Sequence, residues 1–277
     1  AQGLPFRLPK SFIELKPLVL DYEQQQWLEA RGRLRVGISI GDYAPMDIAN
    51  ERNRYQGISA DYLSLVRDKL GVTVEVLGFS KRDQAVAALL SGKIDILTSA
   101  TGYERGIDGL LFSNEYMTDR SVMVGKEAAA PDGNWAGKKI GFLDGEVDAH
   151  VADAFYPDSE IILTPTLHSA LEALNEGDID ALVAHELIVR GFKTLRSYSS
   201  LRVLGQSALP KSGFAFAVRR DDPQLQALID RALNSLDDEM GHVILSRWHA
   251  EHLGAVGQQH IQPVSYTHLR AHETSLH

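Results

Sequence analysis

The chain contains nearly the same ten residues twice: ALLSGKIDIL at residues 88–97 and, 85 positions later, ALNEGDIDAL at residues 173–182. Each copy has the pattern of a helix end, a glycine and a short apolar strand. The glycine favours the left-handed turn that closes a helix, and the apolar run after it has the length of a buried strand. Two such units predict two similar α/β lobes. A small molecule held between the lobes is therefore the first functional hypothesis.

The composition is that of a globular protein and argues against several functional classes. Of the 277 residues, 44% are hydrophobic and 23% are charged, and the net charge is −9. A basic face for nucleic acid or for an anionic membrane is therefore not expected. The chain has no cysteine, which removes disulfides, thiolate catalysis and cysteine-ligated zinc and suits either the cytoplasm or the periplasm. The sequence contains no run of about 18 apolar residues, so it predicts no membrane span.

Apolar patterns around the two copies predict alternating helices and strands. Residues 11–31 indicate a lead-in helix, residues 33–40 a first strand, and Ser59 the N-cap of the next helix. The hydroxyl-rich segment 98–105 is interpreted as a polar loop at the carboxyl end of a strand, where open α/β sheets bind ligands. In the second half, residues 139–143 and 212–218 predict strands, and residues 186–195 predict a helix.

Several short motifs follow one another in a defined order. They are Tyr43-Ala44-Pro45-Met46, Gly57-Ile58-Ser59-Ala60-Asp61, Gly92-Lys93-Ile94-Asp95, Glu104-Arg105, Phe112-Ser113, Ala217-Val218-Arg219 and Asp222-Pro223. From about residue 33 to residue 253 this ordered set resembles the periplasmic amino-acid-type solute-binding family. The resemblance implies an α/β fold of the periplasmic-binding-protein-like type II, a Venus-flytrap with two α/β lobes joined by two hinge strands. Lobe 1 would comprise residues 33–124 and 211–253, and lobe 2 residues 125–210. Residues 1–32 would be a linker or lead-in helix, and residues 254–277 a disordered or vector-derived tail.

The segment before the first strand resembles part of a sensor. The sequence LDYEQQQWLE at residues 20–29, followed by LRVG at residues 34–37, looks like the junction ahead of a flytrap domain in tandem-flytrap sensor histidine kinases. This implies a periplasmic domain of an inner-membrane protein. Closure on a small ligand would then be passed to a neighbouring flytrap domain and a membrane-anchored kinase of two-component signal transduction. The alternative is a free ABC-transporter binding protein for an amino acid or carboxylate, whose closed form is read by a permease.

Five lobe 1 residues are expected to bind the ligand. Arg105 matches the family position that holds a ligand carboxylate, and a guanidinium suits this through two parallel charge-assisted hydrogen bonds; the alternative is a surface arginine paired with a nearby carboxylate. Thr98 and Thr101 belong to the same segment. Tyr43 matches the family's aromatic wall, the alternative being a core tyrosine. Arg82 stands where the family often has a second aromatic, and it would favour a second negative group on the ligand unless it is a solvated residue at a helix start.

Lobe 2 departs further from the family pattern. His185 falls where α-amino-acid binders have the carboxylate that holds the ammonium group, and an imidazole cannot replace that anion; Glu186 could supply it if the register shifts by one. Glu146 lies at a helix entry where backbone N–H groups favour an anion, and its side chain is expected to cap that helix rather than touch the ligand. The predicted ligand is therefore not an ordinary α-amino acid but a carboxylate or another small anion.

No catalytic residue, metal or cofactor is expected. The chain lacks the Gly-x-Ser-x-Gly, phosphate-loop and Gly-x-Gly-x-x-Gly motifs. His249 and His252 have a metal-like spacing but no third ligand nearby in the sequence, so a solvated helix end is the preferred interpretation. The less favoured alternative is a cyclohexadienyl dehydratase-like enzyme in which Arg105 binds a substrate carboxylate and His185 or Glu146 acts as the acid.

Overall fold

The computed structural model describes residues 3–41, 43–191 and 197–252, and for residues 103, 105 and 249–252 it describes the backbone alone. The expected tail at residues 254–277 and the last part of the helix predicted at 186–195 lie outside the described residues. The strands form two main sheets, and helices pack on both. Among the described helices, none is long and apolar enough to cross a membrane.

The first sheet defines lobe 1. It contains β1 (Leu4–Phe6), β2 (Leu34–Ser39), β5 (Val74–Phe79), β6 (Ile96–Thr101), β7 (Leu110–Phe112) and β13 (Phe214–Arg219), in the order β1-β5-β2-β6-β13-β7. Strands β5, β2 and β6 are parallel, whereas β1 and β13 are antiparallel to their neighbours. The other lobe 1 elements are α1 (Tyr22–Arg31), α2 (Ile58–Leu70), α3 (Arg82–Leu90), α7 (Pro223–Asn234), α8 (Met240–His252) and the hairpin β3 (Ile48–Ala49) and β4 (Tyr55–Gln56).

The second sheet, which defines lobe 2, repeats this arrangement. It contains β8 (Ser121–Lys126), β9 (Lys139–Leu143), β10 (Glu160–Thr164), β11 (Ala181–His185) and β12 (Leu201–Gln206), in the order β10-β9-β11-β8-β12. Strands β10, β9 and β11 are parallel and β8 is antiparallel to β11, as in the series β5-β2-β6-β13. The helices are α4 (Ala149–Phe155), α5 (Leu167–Glu176) and α6 (Glu186–Gly191). The core of the sheet includes Phe142 and Leu182, both fully buried.

The aspartates of the two repeated sequences fasten neighbouring strands together. The Asp95 carboxylate accepts a hydrogen bond from the backbone N–H of Arg35 at 2.9 Å, and the Asp180 carboxylate accepts one from the N–H of Lys139 at 2.8 Å. In return, the Asp95 N–H donates to the Arg35 carbonyl at 2.7 Å and the Asp180 N–H donates to the Lys139 carbonyl at 2.8 Å. The repeat thus fixes the start of a central strand pair in each lobe.

The isoleucines of the repeat fill equivalent positions in the two cores. Ile94 and Ile179 are 0% and 2% exposed. A Cβ added at Gly37 would lie 2.4 Å from Ile94 Cδ1, and one added at Gly141 would lie 2.6 Å from Ile179 Cδ1. Each isoleucine therefore occupies the space above a glycine of the adjacent strand, where any larger residue would displace it.

Two adjacent segments, residues 113–120 and 207–213, connect the sheets. They join β7 to β8 and β12 to β13, and they are linked by backbone hydrogen bonds of 2.8 Å from the Tyr116 N–H to the Phe214 carbonyl and from the Phe214 N–H to the Met117 carbonyl. Because β8 pairs with β11 and β12, sheet membership changes before Ser121. This differs from the expected lobe boundary after residue 124.

The lead-in is part of lobe 1 rather than a separate linker. Strand β1 extends the first sheet, and α1 is held by Arg31, which donates to Asp222 at 2.6 and 2.9 Å and to Asp95 at 3.1 Å. The helix is also shorter than the expected span of residues 11–31, because residues 12–20 form no regular element.

Two further boundaries differ from the sequence-based expectations. The N-cap of α2 is Gly57, with Ser59 inside the helix, where its hydroxyl is hydrogen-bonded to Ser99 and Tyr116 at 2.7 and 2.6 Å. Strand β6 continues through Thr101, so much of the expected polar loop is buried strand. The hydroxyls remain buried because they find hydrogen-bond partners inside the lobe.

Candidate ligand-binding cleft

A cavity of about 370 Å³ lies between the two lobes, where the parallel strands of both sheets end. Lobe 1 contributes the residues after β2 and β5, and lobe 2 those after β9 and β10. The lining consists of Ser39, Ile40, Gly41, Tyr43, Ser80, Lys81, Arg82, Asp83, Leu143, Asp144, Gly145, Glu146, Pro165, Thr166 and Leu167. Because ligands of open α/β sheets bind at the carboxyl ends of the strands, this cavity is the candidate binding site.

The lobes approach each other closely at two glycines. A Cβ added at Gly145 would lie 3.4 Å from Arg82 Cβ, and one added at Gly191 would lie 2.7 Å from Pro45 Cδ and 3.0 Å from the Ala44 carbonyl oxygen. Gly145 and Gly191 belong to lobe 2, whereas their neighbours belong to lobe 1. The structure is therefore in a closed arrangement. It depends on the absence of a side chain at Gly191, whereas a Cβ at Gly145 would make an ordinary van der Waals contact.

Arg82 lines the cavity, but its charge is balanced within lobe 1. Its side chain is 3% exposed and that of Glu104 is 2% exposed. Nη2 and Nε donate to Glu104 Oε1 at 2.9 and 3.2 Å, and Nη1 donates to Ser39 Oγ at 3.1 Å. Burial lowers the pKa of Arg82, but the Glu104 charge, together with Tyr43, the hydrogen bonds to Glu104 and the Asp47 charge, more than offsets this, so the pKa is raised overall. The expected second free cation is thus a buried ion pair, because the neighbouring carboxylate neutralises it.

Tyr43 lies in the cavity wall and is nevertheless 7% exposed. Its ring centroid is 5.5 Å from Arg82 Cζ, a cation–π distance. The hydroxyl is buried near the Glu146 carboxyl but makes no hydrogen bond of standard geometry to the described residues. Burial raises the pKa of Tyr43, and the Glu146 charge raises it further. Tyr43 therefore lines the cavity and is also as buried as a core tyrosine.

Glu146 brings a lobe 2 carboxyl into the cavity. It follows β9 and is 9% exposed. Burial raises its pKa, although the positive charges of His185 and Arg82 oppose this. The groups that act on it are His185, Arg82, Glu104 and Tyr43. The expectation that Glu146 caps the helix is wrong, because α4 is capped by Asp148, whose carboxylate accepts the His150 N–H at 2.8 Å.

The other three lobe 1 candidates lie outside the described cavity lining. Thr98 is fully buried and its hydroxyl donates to the Gly37 carbonyl at 3.2 Å and to Asp47 Oδ2 at 3.1 Å. Thr101 is the N-cap of the 3-10 helix Gly102–Gly106. Both are thus engaged inside lobe 1 instead of facing the ligand as expected. Arg105 belongs to this 3-10 helix, but its side chain is outside the described part, so its carboxylate role stays a prediction.

His185 ends β11 and lies against the connecting segments instead of in the cavity lining. Its Nδ1 is 3.3 Å from Asp119 Oδ2, with both side chains 3% exposed, and its ring centroid is 4.9 Å from that of Phe214. The neighbouring Glu186 accepts two hydrogen bonds from Arg120, at 2.9 and 2.8 Å. The region that the sequence predicted to lack a carboxylate therefore contains Asp119.

Sequence reasoning missed the acidic character of the cleft. Among the described lining residues, Asp83, Asp144 and Glu146 carry carboxyls, against the two cations Lys81 and Arg82. The Thr101-x-x-Glu104 spacing could have revealed the capping role of Glu104, but no local pattern predicts its pairing with Arg82. In the described part of the chain, no group of three or more His, Cys, Asp or Glu side chains could hold a metal ion.

The chain has two α/β lobes of matching topology, two adjacent segments that join them, and a cleft to which both lobes contribute lining residues. These features define a Venus-flytrap solute-binding domain of the periplasmic-binding-protein-like type II. The chain belongs to the bacterial extracellular solute-binding proteins, family 3, whose sequence profile matches residues 34–251.

Similar proteins include sensors as well as binding proteins. The chain is 27% identical over 233 residues to the virulence sensor protein BvgS of Bordetella bronchiseptica and 25% identical over 238 residues to the sensor protein EvgS of Escherichia coli, covering 83% and 84% of this chain. It spans only 19% and 20% of those relatives.

Solved structures show the same fold. The periplasmic VFT2 domain of Bordetella pertussis BvgS has a TM-score of 0.73 at 22% identity, covering 83% of this chain and 99% of that one. The amino acid ABC transporter substrate-binding protein AbpA of Streptococcus pneumoniae, bound to L-arginine, has a TM-score of 0.66 at 20% identity, covering 82% and 97%.

Proposed function

We propose that this chain is an extracytoplasmic sensor domain that closes on a small solute and signals through a membrane-anchored histidine kinase in the same polypeptide. The observation that carries the proposal is the cavity lined from both lobes at the carboxyl ends of their strands. Closure of such a cleft responds to a ligand only as far as the ligand binds the closed form better than the open one. The sensor relatives support signalling as the output and the periplasm as the location. The neighbouring partner would be a second flytrap domain.

The ligand is proposed to carry a carboxylate or a similar anionic group. Support comes from Arg105, which follows β6 in the 3-10 helix Gly102–Gly106, and from the suitability of a guanidinium for carboxylates. Arg82 adds no free positive charge, since Glu104 balances it. The anionic group is therefore expected to bind Arg105, with the exposed Lys81 as a further cation of the cavity lining.

A thermal-shift screen over amino acids, mono- and dicarboxylates and inorganic anions tests the proposal. A ligand at a hundredfold excess over its Kd stabilises the folded state by about 2.7 kcal/mol, which raises the Tm of a domain of this size by roughly 5–11 °C. Arg105→Ala is expected to abolish the response to the carboxylate. Arg33→Ala, at a residue whose side chain is 62% exposed and pairs loosely with Glu75 at 3.9 Å, is the control and is expected to keep it.

Other outcomes would contradict parts of this reading. If no solute shifts the Tm of the folded domain, the binding function is refuted. If the parent polypeptide consists of a signal peptide and this flytrap domain alone, the protein is a free transport protein and the sensor proposal is wrong. Turnover of a prephenate-like acid, assayed by product formation, would establish the dehydratase alternative; none is expected.

A further inference from the structure

The cleft contains buried negative charge that its own cations do not balance. Arg82 is paired with Glu104. Glu146 adds a second carboxyl, from lobe 2, and is only 9% exposed. His185 also acts on Glu146, but it lies 3.3 Å from Asp119, and Lys81 of the cavity lining is exposed. The buried carboxyls of Glu104, Glu146 and Asp119 therefore outnumber the buried basic groups of Arg82 and His185. Burying an unbalanced charge is costly unless a partner of opposite sign is bound.

One buried polar atom beside this charge is unsatisfied, and a second faces Glu146. Glu104 Oε2, on a residue 2% exposed, accepts no hydrogen bond from the described residues. The Tyr43 hydroxyl makes none of standard geometry but lies close enough to Glu146 to oppose the rise in the pKa of that carboxyl. Tyr43 lines the cavity, and its ring already lies at a cation–π distance from one cation. An unpaired buried carboxylate oxygen calls for a donor, and an aromatic face beside it favours a positive one.

We propose that Glu146, with Tyr43 beside it in the cavity lining and the buried Glu104 carboxylate adding negative charge behind Arg82, binds a positively charged nitrogen group of the ligand, an ammonium or guanidinium. This rests on the proposed solute-binding function and deepens it. The position expected to hold such a group, residue 185, is a histidine paired with Asp119, so the cation subsite lies on the loop after β9 instead of at the end of β11. Under this proposal the ligand is not a simple anion, which differs from the carboxylate or other small anion that His185 led us to expect.

Matched probes of one chain length test the charge preference: butylammonium, butyrate and 4-aminobutyrate, titrated by NMR or calorimetry. Wild type is expected to bind the two amine-bearing probes more tightly than butyrate. Glu146→Gln is expected to weaken both amine-bearing probes at least tenfold and to leave butyrate within about twofold. Asp153→Asn is the control, because Asp153 is an exposed carboxylate of lobe 2, on α4, outside the cavity lining; it is expected to change each affinity by less than about twofold.

The outcomes separate this proposal from the one on which it rests. A wild-type preference for butyrate, or an unchanged amine affinity in the folded Glu146→Gln variant, overturns the cation subsite and leaves solute binding intact. Restoration of amine binding by Glu146→Asp supports a charge effect. Failure of wild type to bind any probe or any solute of the thermal-shift screen overturns both proposals.

Discussion

Replacing Arg82 by methionine is expected to destabilise the domain strongly, because it strands a buried carboxylate. The substitution removes two charge-assisted hydrogen bonds to Glu104, at 2.9 and 3.2 Å, and one to Ser39, at 3.1 Å. The Glu104 side chain is 2% exposed, so water cannot replace the lost partner without rearrangement. Breaking a buried pair on one side costs about 3–5 kcal/mol of the free energy of unfolding, which lowers the Tm by roughly 6–20 °C for a domain of this size.

Urea and thermal unfolding of matched variants measure this effect. Arg202→Met is the control, because Arg202 pairs with Glu127 at 3.2 Å with side chains 53% and 76% exposed; an exposed pair is worth about 0–1 kcal/mol. The double variant Arg82→Met with Glu104→Gln removes the stranded charge as well, and is expected to recover about half of the lost free energy.

The reasoning fails if Arg82→Met costs no more than Arg202→Met. It also fails if Glu104→Gln, added to Arg82→Met, lowers the stability further. Either result would mean that the Glu104 carboxylate is not buried beside Arg82 in the folded domain.

Three further predictions follow from the same structure. Arg31→Ala is expected to lower the free energy of unfolding by about 1–2 kcal/mol and to make residues 3–31 sensitive to limited proteolysis, because Arg31 holds α1 against Asp95 and Asp222. Arg33→Ala, at an exposed side chain, is expected to leave both unchanged. Equal resistance of the two variants to the protease would contradict this role of Arg31. Because burial raises the pKa of Glu146, its stabilising contribution is present below the ordinary carboxyl pKa and is lost as pH rises through the raised value; Glu146→Gln should flatten this part of the Tm–pH profile, and an unchanged profile would argue against burial. Gly191→Ala is expected to hold the lobes apart, with a larger radius of gyration by X-ray scattering and weaker solute binding, while Gly241→Ala, whose Cβ would meet only Tyr62 Oη at 3.4 Å, leaves both unchanged.

The described fold could be predicted from the sequence to the extent that it depends on neighbouring residues. Gly92 and Gly177 have the expected left-handed conformation, with φ of +83° and +84°, because only the local backbone requires it. The strand at residues 139–143 is confirmed in its full length. Strand β6 is longer than predicted. Its hydroxyl-bearing residues indicated a loop, because the groups that bind these hydroxyls inside the lobe are distant in the sequence.

The candidate site was less predictable than the fold. Tyr43, Arg82 and Glu146 line one cavity, but the neutralisation of Arg82 by Glu104 joins residues 22 positions apart. The proximity of His185 to Asp119 depends on the antiparallel pairing of β11 with β8, in which His185 is opposite Ser121. Neither contact leaves a spacing that a sequence pattern could show.

The repeated helix–glycine–strand sequence by itself determined that the protein has two similar α/β lobes, because turn geometry and hydrophobic period are local properties. Only the tertiary structure decided what lies between the lobes. Strand register and lobe closure set which charges are buried together, and a charge in the cleft acts according to its buried partners rather than its residue type. For this reason the sequence suggested a ligand with negative charge, whereas the described lining of the cleft contains three carboxyls and two cations.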